Sequence, residues 1–179
     1  MVRPHSGSYR SSRWSSLVAG LLGLFPILAL PEVTQLDPGN ASLRGLPGIA
    51  VVAENVSHEV RPYGLKETWF EERIATALER AGVRRLPGLD RDRQPLLVAR
   101  LQTVPIPGRL IFAWHLSLIA YQRVATLGAA PDTLPAQTWA ASASIGVASA
   151  PRLQATVRDA LDAQVAEFVR AWKGSGAAP

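Results

Sequence analysis

Three histidines are the first residues to weigh, because metal sites need clustered His, Asp or Glu and general bases are most often His. His5, His58 and His115 stand far apart, and none has a second His two or four residues away. His5 belongs to an Arg-rich N-terminal stretch. His115 falls on the polar side of a strand and reads as a surface residue. His58 has Glu54 and Glu59 nearby as further ligating groups, yet a solvated loop explains the same residues. Nucleophilic catalysis needs a serine or cysteine backed by a base. No G-x-S-x-G occurs, and Ser142 and Ser144 sit among small residues of a strand, where serine is ordinary filler. Glu71 and Glu72 are adjacent on a helix, about 100° apart, so they do not form a facing carboxylate pair. Gly45-Leu-Pro-Gly48 precedes a strand, whereas a phosphate loop follows one. The chain has no cysteine, which excludes disulfides, thiolate zinc sites and catalytic thiols. The expectation is a non-enzymatic protein with no cofactor and no metal.

What remains is recognition chemistry. Arg80, Arg84, Arg85, Arg91 and Arg93 form the densest charge cluster, suited to anionic headgroups or an acidic partner. Glu79, Asp90 and Asp92 interleave with it, so a self-neutralised turn is the competing reading. Among the tryptophans, Trp114, Trp139 and Trp172 fall on inward stripes. Trp69 lies off its helix's stripe, beside the loop that carries Tyr63, and is the best single candidate for a contact surface. Trp69, Tyr63, Arg84, Arg85 and Arg91 are therefore the candidate partner surface. The Asn40-Ala-Ser42 and Asn55-Val-Ser57 sequons matter only in a eukaryotic secretory pathway.

The elements that must position these residues follow from periodicity. The apolar run within Leu46–Val56 predicts a buried strand. Residues 57–64 read as a loop. Phe70, Ile74, Ala77, Leu78 and Ala81 recur at three and four, predicting a helix over 65–81 with a stop at Gly82. A charged turn follows over 84–95. Leu96–Val104 reads as a strand with Leu97, Ala99 and Leu101 inward and Arg100 and Gln102 outward. Leu110–Val124 is the clearest strand. Leu110, Phe112, Trp114, Leu116 and Leu118 share one face, and Ala113, His115, Ser117 and Tyr121 the other. These two strands make a hairpin. After a Gly/Ala/Pro loop over 128–135, Thr138–Val147 reads as a fourth strand. The alternation puts Trp139, Ala141, Ala143, Ile145 and Val147 inward, and Thr138, Ser142 and Ser144 outward. Pro151 opens a long helix to about Trp172, with Leu153, Val157, Leu161, Val165, Phe168 and Trp172 as its buried stripe. The order β-α-β-β-β-α predicts an α/β (α+β) domain over 46–172, with both helices on one face of a four-stranded mixed sheet. Residues 31–45 read as a linker, and 173–179 as a disordered tail.

Hydrophobic residues make up 47% of the 179, enough for one core. Three of the nineteen basic residues, Arg3, Arg10 and Arg13, precede Glu32, the first acidic one. Residues 31–179 therefore carry sixteen Lys and Arg against fourteen Asp and Glu. The net charge of +5 thus belongs largely to the N-terminus, and a nucleic-acid partner is not expected. Leu17–Leu30 is an uncharged apolar stretch of about fourteen residues behind that basic start. It is shorter than the roughly twenty that a spanning helix needs, and Pro26 interrupts it. Residues 1–30 therefore read as a secretory signal, which places the domain in the periplasm or outside the cell. A clean A-x-A cleavage site is missing, because Ile27 stands where a small residue belongs. An uncleaved anchor over 17–30, tethering the domain to the inner membrane, is the alternative.

Four stretches carry a family resemblance: Ala75-Thr-Ala-Leu-Glu-Arg-Ala-Gly82, Thr138-Trp139, Ser144-Ile-Gly-Val147 and Val165-Ala-Glu-Phe-Val-Arg-Ala-Trp172. In that order the chain resembles the accessory α/β domains of periplasmic transport lipoproteins and the N-terminal domain of TolB-like proteins, over about residues 46–172. The resemblance implies a binding or assembly role in the bacterial envelope, with an envelope protein or membrane complex as partner and no enzymatic activity. The chain departs from the lipoproteins in having no cysteine to carry a lipid. A carrier of a small apolar ligand or lipid, held between helices and sheet, is the second expectation. A cavity lined by Trp114, Trp139 and Phe168 would favour the carrier. A packed interior with an exposed apolar patch would favour the assembly subunit.

Overall fold

A computed structural model describes residues 38–176, apart from 88–89, 91–92 and 126–132. The leader 1–30, with His5, and residues 31–37 of the 31–45 stretch lie outside the described residues. The element order is α1 (Pro38–Ala41), β1 (Ala50–Glu54), a 3-10 turn (His58–Tyr63), α2 (Glu67–Arg80), β2 (Leu96–Pro105), β3 (Ile111–Ala125), β4 (Thr133–Ala140), β5 (Ser144–Ser149) and α3 (Ala150–Gly174). The chain has an α/β fold built on a mixed sheet.

β1 pairs with β2 in parallel, and β2 with β3 antiparallel. β4 and β5 both pair antiparallel with β3 along its other edge, β4 against residues 119–125 and β5 against 111–116. They are one outer strand broken in two. Both helices cover the same face: α2 packs on β1, α3 on β3 and β5, and the helices touch each other. Phe70, Ile74 and Leu78 of α2 meet Leu153, Val157, Leu161 and Phe168 of α3 over Leu97, Leu101, Leu116 and Leu118. All are buried, as their spacings of three, four and two require.

The outer strand departs from simple alternation, and the departure has a local cause. Ala141 still bonds Leu118, its N–H to the carbonyl at 2.9 Å. Ser144 already pairs with Leu116. Ser142 and Ala143 therefore both stand opposite Ser117, which is a one-residue β-bulge. An extra residue reverses which face every later side chain takes. Trp139 and Ala141 are buried as expected, but Ile145 is 79% and Val147 64% exposed. They lie on the face away from the helices, and Ala143 is exposed as well. Gly146 and Ala148 take the inward positions instead.

Other boundaries shift as well. β4 begins at Thr133, inside the expected loop, and residues 58–63 are a 3-10 turn capped by Ser57. Leu110 precedes β3 and is 72% exposed, so it does not belong to the buried stripe. The expected linker enters the core at Leu43, which is fully buried. Ser42 Oγ donates to the Thr138 carbonyl at 2.9 Å, and Arg44 Nε to that of Ser175 at 3.0 Å. Of the expected tail, Lys173 and Gly174 belong to α3, and Ser175 is buried.

Candidate functional site

The sequence candidates do not converge. Trp69 and Arg84 flank opposite ends of α2, whose 14 residues span about 21 Å. Trp69 is half-buried, edge-on to Phe70 at 4.8 Å between centroids, with the Arg73 guanidinium 6.0 Å from its ring centre. It lines a groove of about 660 Å³ between α2 and α3, together with Arg73, Arg80, Asp162, Val165 and Val169. Arg73 crosses this groove to Asp162, Nε to Oδ1 at 2.7 Å, and that bond first of all raises its pKa. Tyr63 is half-buried and packs edge-on against Phe112 at 5.5 Å. Arg84 and Arg85 are exposed. Their backbone extends the sheet: Ile49 N–H donates to the Arg84 carbonyl, and Leu86 N–H to that of Ile49, each at 3.0 Å. Arg91 lies outside the described residues.

The chemistry-bearing residues are equally dispersed. Among the described residues, no three of His, Asp or Glu cluster to hold a metal. His58 is exposed in the 3-10 turn, and His115 is half-buried on the open sheet face. Glu71 and Glu72 part as the helix geometry predicts. Glu71 Oε1 accepts from the Ala53 N–H of β1 at 3.1 Å, while Glu72 is exposed. Ser142 and Ser144 frame the bulge. The Glu167 carboxylate accepts from Ser142 N–H at 3.2 Å. Gln164 Nε2 donates to Leu116 O at 3.0 Å, Ser142 O at 3.1 Å and Ser144 Oγ at 3.1 Å. Gln164 is 1% exposed, so this amide is a buried clamp on the broken strand. The sequence reading passed over it, although it sits three residues after Leu161 and four before Phe168, on the buried stripe.

The open face of the sheet has two regions. At one end the rows Val104–Ala113–Val147 and Gln102–His115–Ile145 run across β2, β3 and β5. Val104 is 65% exposed, so it, Ile145 and Val147 form an uncovered apolar patch. At the other end, Leu96 and Val98 floor a cleft of about 220 Å³ walled by Tyr121 and Pro135. Arg100 lies over the Tyr121 ring, 5.5 Å from its centre, and pairs with Glu54 at 3.2 Å. The space between helices and sheet is filled by its own side chains. Phe168 meets Trp139 at 5.1 Å and Trp172 at 5.9 Å between centroids. Neither cavity is lined by Trp114, Trp139 or Phe168. Among the described residues, no helix is long and apolar enough to cross a membrane.

No family model matches the chain, and no curated protein matches it.

Proposed function

We propose that this chain is an exported envelope protein that works as a non-enzymatic binding or assembly subunit. The observation that carries the reading is the uncovered apolar patch of Val104, Ile145 and Val147 on the open sheet face. Apolar side chains gathered on a face with no covering layer are what a partner surface needs. The Arg-rich start, the uncharged Leu17–Leu30 stretch and the resemblance to periplasmic accessory domains support the envelope as the setting. Among the described residues, the dispersal of the titratable and nucleophilic candidates supports a role without chemistry. The carrier reading needs room between helices and sheet, where Phe168, Trp139 and Trp172 now pack.

Two measurements test the proposal. Residues 1–45 fused to a reporter active only outside the cytoplasm should give activity, and silence would overturn export. The full chain, solubilised from the envelope, should migrate in a particle well above twice its 19.2 kDa mass. Val104→Lys should shrink that particle without moving the unfolding midpoint. A particle indifferent to this change would overturn the surface assignment. An apolar molecule extracted from the purified protein in equal molar amount would replace the reading with the carrier.

A further inference from the structure

The sheet has outer edges at β1 and along the broken strand β4–β5, and the chain treats them differently. An unpaired strand edge is a template for another strand, and monomeric proteins blunt it with charge, proline or a covering segment. β1 is blunted: Glu71 takes the Ala53 N–H, and residues 84–86 pair with Ile49. β4 is blunted by Pro135, which has no N–H, and by Ser42, whose hydroxyl binds the Thr138 carbonyl. Among the described residues, β5 has none of these devices. Ala150 N–H bonds the Leu110 carbonyl at 2.8 Å, so alternation turns residues 144, 146 and 148 toward β3. The N–H and C=O groups of Ile145 and Val147 and the N–H of Ser149 then point outward, and no group among the described residues pairs with them, while the Ser149 carbonyl, at the N-cap of α3, accepts the first bond of that helix.

We propose that this free edge pairs with the same edge of a second copy, antiparallel about a twofold axis at Val147, so that two sheets join into one. The inference deepens the assembly reading by making the first partner a second copy. A twofold contact sets like residues close together near its axis, so charge there repels itself. Ser144-Ile-Gly-Val-Ala-Ser149 has no charge and no proline, and an oppositely charged partner has nothing to grip. The helix layer above agrees. Glu167 reaches Ser142 beside this edge, and its carboxylate is taken up there. The α3 residues that share its flank at spacings of four, three and four are Ala163, Ala160 and Thr156, which are small and uncharged. With the axis at Val147, each Val147 faces its twin and each Ile145 faces Ser149. The N–H and C=O of Val147, the C=O of Ile145 and the N–H of Ser149 gain partners. The apolar row Val104–Ala113–Val147 continues into its counterpart across the axis.

The absence of cysteine makes the test clean. Opposed residues of a hydrogen-bonded antiparallel pair have Cα atoms about 5.5 Å apart, within disulfide range. Val147→Cys in the full chain, purified in mild detergent and gently oxidised, should give disulfide dimer at least about tenfold above Arg158→Cys, an exposed position on α3. Ile145→Arg added to Val147→Cys should lower that yield about fivefold, with no change in unfolding midpoint because residue 145 is 79% exposed. The parent should sediment at twice 19.2 kDa and fall toward the monomer on dilution. This concentration dependence decides the matter even if Ile145→Arg unfolds the chain. Dimer no more abundant than in the control, a parent that sediments as monomer, or cross-linking in cells to a different protein instead of to itself overturns the proposal. A dimer without export of the leader fusion overturns the envelope reading alone; export without a dimer overturns this inference alone.

Discussion

Gly146→Ala should destabilise the protein, and the sign of its effect tests the bulge. Gly146 lies opposite Trp114 on the helix-covered face. A Cβ built on it stands 2.6 Å from Trp114 Cζ2, 2.8 Å from Cε2 and 3.1 Å from Nε1. Carbon atoms prefer about 3.5–4.0 Å, so the indole must give way. It is 6% exposed and held in the core, with little room to retreat. Overpacking of this kind costs about 1–3 kcal/mol. Losing a strand glycine returns about 0.5–1 kcal/mol by restricting the unfolded chain. The net loss is about 1–2 kcal/mol, or a fall in Tm of about 2–8 °C for a chain of this size. Phe lacks the atoms that crowd residue 146. Gly146→Ala should therefore cost less in a Trp114→Phe background, with a coupling of about 1 kcal/mol in the cycle. The assay is thermal and urea denaturation of the four proteins. In an unbroken strand, residue 146 would face solvent and alanine would raise the Tm. A stabilising Gly146→Ala, or strict additivity with Trp114→Phe, would refute the bulge and the inward position of Gly146.

Three further outcomes are expected. Phe168→Ala empties a fully buried site between Trp139 and Trp172 and should cost about 3–5 kcal/mol of a total near 5–15 in urea denaturation. Trp69→Ala, at a half-buried position, should cost clearly less, and equality of the two would overturn the assignment of the helix faces. Gln164→Leu leaves the Leu116 and Ser142 carbonyls short of a donor and should cost about 2–3 kcal/mol, with faster hydrogen exchange at Ser144. The Glu67 carboxyl is held below its usual range, first by its own backbone N–H at the start of α2, with Arg61 adding to it. Its stabilisation is therefore present above the unfolded carboxylate pKa and lost as pH falls through the lower folded value. Glu67→Gln should be slightly less stable than the parent at neutral pH and equal to it at strongly acid pH; a gap that persists in acid would contradict this.

The helices and the central hairpin were legible because each has one dry face and a period that only one element satisfies. Phe70, Ile74 and Leu78 read as a helix, and Phe112, Trp114, Leu116 and Leu118 as a strand, whatever surrounds them. The outer strand was not legible, because its residues satisfy two phases. Trp139, Ala141, Ile145 and Val147 alternate cleanly, but an inserted residue leaves no mark on such a pattern when serine and alanine fill both faces. The marks that did exist were outside the strand. Gln164, a polar residue on an otherwise apolar stripe, signals a buried need for donors, and the bulge supplies the carbonyls. Leu43 was missed for the converse reason: a lone leucine among prolines and glycines has no periodicity to report. Of the surface candidates, Trp69 stands near the start of α2 and Arg84 beyond its end, and the 14 residues of that helix keep them apart.

The bulge connects the interior to the surface. Trp114 occupies so much of the layer beneath α3 that the strand beside it must present a residue with no side chain. In the unbroken phase that place would fall to Ile145, which is too large. One extra residue at Ser142–Ala143 brings Gly146 under the indole, and the same shift turns Ile145 and Val147 out onto the open face. The helix then repairs what the bulge disrupts, Gln164 through its amide and Glu167 through its carboxylate. The exposed patch therefore cannot be withdrawn by a small adjustment of the strand. Burying Ile145 and Val147 would require removing the bulge, displacing Trp114 and stranding Gln164 together. Three linked core contacts thus hold Ile145 and Val147 on the open face, and the proposed pairing with a second copy depends on that placement.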